Sequence, residues 1–106
     1  MKRKKWTLKK YYQRFNRIYF GNKLPDIPVK FEETARKGVV GETTFFGSCP
    51  VRISISPNIR YWDKIVLQVL LHECAHVALP ANVQHGPRFD REIARLFRAG
   101  AFRGLM

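Results

Sequence analysis

The segment His72-Glu73-Cys74-Ala75-His76 carries two imidazoles four positions apart with a carboxylate between them. On an α-helix, residues at that spacing stand one above the other, so His72 and His76 can present both rings to a common point suited to one zinc ion. Glu73 is turned by about 100° from His72 around such a helix. It therefore lies beside the metal rather than on it, where it can act as general base towards water. The bland alternative is a buried helix with two incidental histidines and a glutamate. That helix would desolvate three polar side chains without a partner, a cost that a single bound cation removes.

A catalytic zinc site takes three protein ligands and leaves a position open. Two residues are candidates for the third ligand. His85, the one remaining histidine, follows His76 by nine residues, past Pro80, at the mouth of a predicted last helix. Glu92 lies on that helix beside its apolar face, with a salt bridge to Arg88 or Arg95 as its competing role. His85 is preferred, because otherwise the last imidazole would stand unused beside an imidazole-based site.

These side chains need a scaffold. Residues 63–79 are apolar over most of a helical circumference, from Ile65 and Val66 through Leu70 and Leu71 to Val77 and Ala78. Asp63 stands near the start and Pro80 stops the run, so a central, buried helix is predicted. Upstream, Leu8, Tyr11, Tyr12, Phe15, Ile18 and Tyr19 recur at helical spacing, with Thr7 available as a cap and Gly21 as a stop. Strand-like runs follow at 28–32, 39–46 and 51–56. In the last, Val51, Ile53 and Ile55 alternate with Arg52, Ser54 and Ser56, which predicts a strand buried on one face of a mostly antiparallel sheet. A final helix begins at Pro87, with Phe89, Ile93, Leu96 and Phe97 inward and Arg91, Arg95 and Arg98 opposite. The expectation is an α+β fold in one domain, 1–106: an N-terminal helix, a three-stranded sheet, a central zinc-binding helix and a C-terminal helix, with residues 1–7 as a basic tail.

At 106 residues with 45% hydrophobic side chains, the chain can build one packed core. Twenty basic residues against eight acidic ones give a net charge of +12, which makes a polyanionic partner such as DNA plausible. The charge clusters at the two ends, and Lys2, Arg3, Lys4, Lys5, Lys9, Lys10, Arg91, Arg95 and Arg98 are candidate DNA contacts. Two cysteines, Cys49 and Cys74, can form neither a disulfide framework nor a four-thiolate zinc site. They suit a reducing, cytoplasmic setting. No continuous apolar segment suggests a signal peptide, and Ile65 to Leu71 is too short to span a bilayer. No membrane partner is expected, and a monomer is favoured.

His72-Glu73-Cys74-Ala75-His76 followed by His85-Gly86-Pro87-Arg88-Phe89 resembles the SprT-like metalloproteases, the group that includes the DNA-dependent protease Spartan. In that group a His-Glu-x-x-His helix precedes a His-Gly-x-x-Phe segment. Phe15-Asn16, Phe20-Gly21-Asn22-Lys23-Leu24-Pro25, Gly38 to Gly41 and Ile53-Ser54-Ile55-Ser56-Pro57 extend the resemblance over about residues 8 to 97. It implies a small zincin-like catalytic domain with His72, His76 and His85 as zinc ligands and Glu73 as the catalytic residue. The implied activity is peptide-bond hydrolysis in protein substrates, recruited or activated by DNA. Many members add a four-cysteine zinc ribbon; with two cysteines here, DNA contact is expected from the domain's own basic surface. The competing function class is a basic nucleic-acid-binding module with a structural or vestigial zinc and no proteolysis. It would have to close the metal with a fourth ligand from Cys49, Cys74 or Glu92.

Overall fold

The structure, a computed structural model, describes residues 7–105. Its elements are α1 (Leu8–Tyr19), β1 (Val29–Phe31), β2 (Gly41–Phe46), β3 (Cys49–Ile55), a 3-10 turn (Pro57–Ile59), α2 (Asp63–Ala78) and α3 (Pro87–Arg98). Three helices and a three-stranded sheet make a small α+β domain.

In α1, Leu8, Tyr12 and Phe15 are buried at helical spacing while Lys10, Gln13, Arg14 and Arg17 face solvent. Thr7 holds the N-cap position, but its side chain makes no capping bond. Its carbonyl accepts from the amides of Lys10 and Tyr11 instead. The helix stops where Gly21 and Asn22 take left-handed φ values of 59° and 62°. Asn16 then clamps the returning chain: its Nδ2 donates to the Leu24 carbonyl at 3.2 Å and its Oδ1 accepts from the Leu24 amide at 3.0 Å. The Tyr12 hydroxyl donates to the Pro25 carbonyl at 2.6 Å. Burial raises its pKa and keeps it a donor.

The strand order is β1-β3-β2, with β1 parallel and β2 antiparallel to β3. The sheet is therefore mixed rather than mostly antiparallel. A short turn at Gly47-Ser48 makes β2 and β3 a hairpin, and β1 adds to the far edge of β3. Phe31 at the end of β1 and Gly41 at the start of β2 both pair with Ile55. Residues 32–40 must therefore cross the end of β3, which sets β1 parallel to it.

The central position of β3 overturns a second expectation. Ile53, Ser54, Ile55 and Ser56 are all buried, so the strand's C-terminal half is covered on both faces. Serine is tolerated there because Ser54 Oγ donates to Glu32 Oε1 at 2.7 Å.

One hydrophobic cluster joins α1, the sheet, α2 and α3. In α3, Phe89 and Leu96 are buried and Ile93 packs against the core, but Phe97, expected inside, is 49% exposed. After α3, Gly100 at φ 86° turns the chain back, and the Ala101 amide donates to the Leu96 carbonyl at 3.0 Å. Ala101 and Phe102 take the inner positions, and Phe97 stacks on Phe102 with ring centroids 4.4 Å apart. No helix among the described residues is long and apolar enough to cross a membrane.

Because the Asn16 amide holds both backbone groups of Leu24, Asn16→Ala should lower the unfolding free energy by about 1–3 kcal/mol in urea titrations. Arg17→Ala, on the exposed face, should change it by no more than about 0.5 kcal/mol. An unchanged midpoint for Asn16→Ala would contradict the clamp.

Candidate metal centre

The burial of α2 is uneven. Its first turn exposes Ile65 at 43%, whereas Leu70, Leu71, Cys74 and Ala75 have no exposed surface. The helix is buried most continuously from Leu70 to Val77, with Val66 the inward residue before it. That stretch carries Glu73 and His76 inward, at 4% and 8% exposure, while His72 on the same side opens to solvent.

The Nε2 atoms of His72 and His76 lie 3.1 Å apart. Two imidazole nitrogens bound to one tetrahedral zinc at about 2.0–2.1 Å each would stand about 3.3 Å from one another. Phe89 of α3 fixes the rings from below. It stacks on His76 with centroids 4.4 Å apart and meets His72 edge-on at 5.0 Å. His85, on the loop between α2 and α3, places its ring 5.4 Å from that of His76 and 6.1 Å from that of Phe89. The ligand atoms of His72, Glu73 and His76 fall within 4.8 Å of one another; His85 lines the same cleft without joining that group.

Burial, reinforced by the nearby His72 and His85, pushes His76 down to about 4. Burial and His85 lower His72 as well. Both rings are therefore neutral at pH 7, with lone pairs available to a metal. Nδ1 of His76 is buried and has no hydrogen-bond partner among the described residues. Two neutral imidazoles that converge on each other, one with its other nitrogen unpaired, are poorly satisfied alone and well suited to a shared cation.

Glu73 faces the same space from below β2. Burial pushes its carboxyl up to about 7, against the Thr43 hydroxyl, which donates to Oε1 at 2.7 Å; the charge of Glu42 adds to the rise. The strand lies hard against this carboxylate. A Cβ at Gly41 would sit 2.5 Å from Val69 Cγ1 and 3.0 Å from Glu73 Oε2, so the approach requires glycine. The cleft, about 370 Å³, is walled by β2 at Gly41, Thr43 and Phe45, by Arg36 from the preceding loop, and by Gln84 and His85 across from them.

Thr43 and Gly41 were not among the sequence-derived candidates. Thr43 meets Glu73 across thirty positions of sequence, a long-range pairing that local pattern does not encode. Gly41 carried a readable signal, since a glycine inside a β-branched run marks close approach of another group.

The other candidates lie elsewhere. Glu92 is held by Arg95 at 2.8 Å and 2.9 Å and lines a separate cavity with Phe20, Leu24 and Ala78. Its carboxylate thus plays the salt-bridge role. Cys74 is wholly buried, which raises its thiol pKa, and Cys49 is exposed at the start of β3. Among the basic residues, Lys9 pairs with Asp26 and donates to the Ile27 carbonyl. Arg95 lies over the Phe20 ring. Lys10, Arg91 and Arg98 are exposed, and Lys2, Arg3, Lys4 and Lys5 fall outside the described residues.

The α+β domain thus presents two imidazoles and a carboxylate of one helix to an open cleft, a donor set that can hold a metal ion. Residues 8–102 match the model of the SprT-like family, and the chain belongs to that family. Searches of curated proteins and of solved structures return no match.

The raised pKa of Glu73 has a consequence for stability. The folded carboxyl keeps its proton up to about pH 7, against an ordinary value of 4.5. Its contribution to folding is therefore complete below the unfolded value and is lost as pH rises through the folded one. Metal-free Glu73→Gln should be more stable than metal-free wild type at pH 8 by about 1–3 kcal/mol, and the two should converge in acid. The histidine shifts are common to both proteins and cancel in the comparison. Equal denaturation midpoints at pH 8 would contradict a desolvated carboxylate.

Proposed function

We propose that this chain is a zinc-dependent metalloendopeptidase that hydrolyses peptide bonds in protein substrates. The observation that carries the proposal is the convergence of the His72 and His76 Nε2 atoms beside a buried glutamate in an open cleft. His72 and His76 would hold the ion, with His85 brought in by its loop as the third ligand. Glu92, bound to Arg95, is the weaker candidate. Zinc held there supplies Lewis acidity, which polarises a scissile carbonyl and makes water more acidic.

The chain's own groups handle the proton and the substrate. Glu73 accepts a proton from water and delivers it to the nitrogen of the departing amine, returning to its starting state. A buried carboxylate that borders the cleft is placed for both transfers. Along β2, one edge pairs with β3 and the other has no strand partner among the described residues. An extended substrate can pair with that free edge, which would bring its backbone alongside Thr43 and Glu73.

A structural zinc would need a fourth, closing ligand. Among the described residues, Cys74 lies in the core, Cys49 lies at the exposed hairpin end and Glu92 is taken by Arg95. This distribution supports an open catalytic site over a closed one. Zinc-loaded Glu73→Gln should retain one zinc per chain and lose casein cleavage by at least about a hundredfold. His72→Ala should lose both metal and activity. A fully active Glu73→Gln protein would defeat the mechanism.

We further propose that DNA recruits or activates the peptidase, in an intracellular, reducing setting that accords with two free thiols. Exposed Lys10, Arg14 and Arg17 on α1, Arg91 and Arg98 on α3, and a net charge of +12 favour that partner. Single-stranded DNA should accelerate casein cleavage at about 50 mM salt and lose this effect towards about 200 mM. A rate unaffected by DNA at low salt would remove DNA from the proposal and leave the peptidase.

A further inference from the structure

We infer that Thr43 is a positioning residue that fixes the Glu73 carboxylate so that only Oε2 is left to exchange a proton with water in the cleft. This rests on the peptidase reading above and assigns, within it, different roles to the two carboxylate oxygens.

The geometry is specific. Thr43 Oγ1 lies 2.7 Å from Glu73 Oε1 and 3.4 Å from the backbone carbonyl of the same residue. A threonine hydroxyl has one hydrogen to donate, and the nearer acceptor, Oε1, takes it. Oε1 is thereby occupied, while Oε2 has no hydrogen-bond partner among the described residues. Residues 41 and 43 lie on the same face of β2 because side chains alternate along a strand. Gly41, lacking a side chain, leaves room for Oε2, which an added Cβ would approach to 3.0 Å. One residue of β2 thus binds one oxygen and the next on the same face leaves the other free.

The effect on the reaction follows from the mobility of a glutamate side chain. Its terminal torsion is broad and soft, and an unpaired carboxylate at 4% exposure would turn towards any available donor. With Oε1 held by Thr43, the carboxylate plane is set before substrate arrives. Oε2 takes the proton from water and passes it to the amine nitrogen, and the Thr43 hydrogen stays on Oγ1 throughout.

The test compares zinc-loaded wild type with Thr43→Val, Thr43→Ser and Thr43→Ala. Each is checked for folding by circular dichroism and for zinc per chain, and initial rates of labelled-casein cleavage are measured against casein concentration. Thr43→Val should lower kcat about 10- to 100-fold, with KM and zinc content unchanged, and Thr43→Ser should restore most of the loss. If the valine variant does not fold, the serine and alanine variants, which differ by a single oxygen, provide the same comparison. A serine variant as slow as the alanine variant would overturn the inference. So would full kcat in a variant lacking the hydroxyl, or a loss confined to KM or to zinc. Wild type that cleaves no casein would bring down the peptidase reading and this inference together; an active wild type matched by Thr43→Val would bring down this inference alone.

Discussion

Glu73 and His76 are carried out of water by a helix whose inner face is otherwise aliphatic, and this desolvation conditions the rest of the structure. A carboxylate and an imidazole at that depth are costly unless each finds a specific partner. For Glu73 the partner is the Thr43 hydroxyl on β2. For His76 it is the His72 ring on one side and the face of Phe89 on the other. Within these contacts the carboxyl titrates near pH 7 and the imidazoles are uncharged at neutral pH. The same low-dielectric setting that costs stability in the metal-free chain strengthens any interaction with a cation.

Several features of the fold serve the placement of these groups. The mixed sheet sends β2 along one side of α2 because its hairpin with β3 and the crossing of residues 32–40 leave β2 at the edge. Gly41 lets that edge strand come close enough for Thr43 to reach Glu73. From the other side, the helix that begins at Pro87 brings Phe89 under the histidine rings, and the loop before it suspends His85 at the cleft. Elsewhere on α3, Arg95 is spread between Glu92 and the Phe20 ring, while Arg91 and Arg98 stay exposed.

Much of this was readable in the sequence because it depends on local spacing. The helical recurrence of Leu8, Tyr12 and Phe15, the stop at Gly21, the proline boundaries of α2 and α3, and the face shared by His72 and His76 are consequences of helix geometry within a few residues. The misreadings concern relations between distant segments. Alternating serines in β3 suggest a solvent face, yet the strand is central and Glu32 receives the Ser54 hydroxyl. Phe97 has the right phase to be buried, but the returning Phe102 fills that place. The parallel pairing of β1 depends on which edge of β3 remained free, and the Thr43–Glu73 contact on two elements that meet only after folding.

Whether a cation is held as the imidazole geometry suggests can be read from the metal itself, independently of any substrate. X-ray absorption at the zinc edge of the zinc-loaded full chain distinguishes nitrogen and oxygen ligands at about 2.0–2.1 Å from a thiolate at about 2.3 Å. The result predicted by His72, His76 and His85 with one open position is three imidazole scatterers and one light oxygen neighbour, with no sulfur. A sulfur shell, or an imidazole count that does not fall when His76 is replaced by alanine, would contradict a metal centre built on this helix.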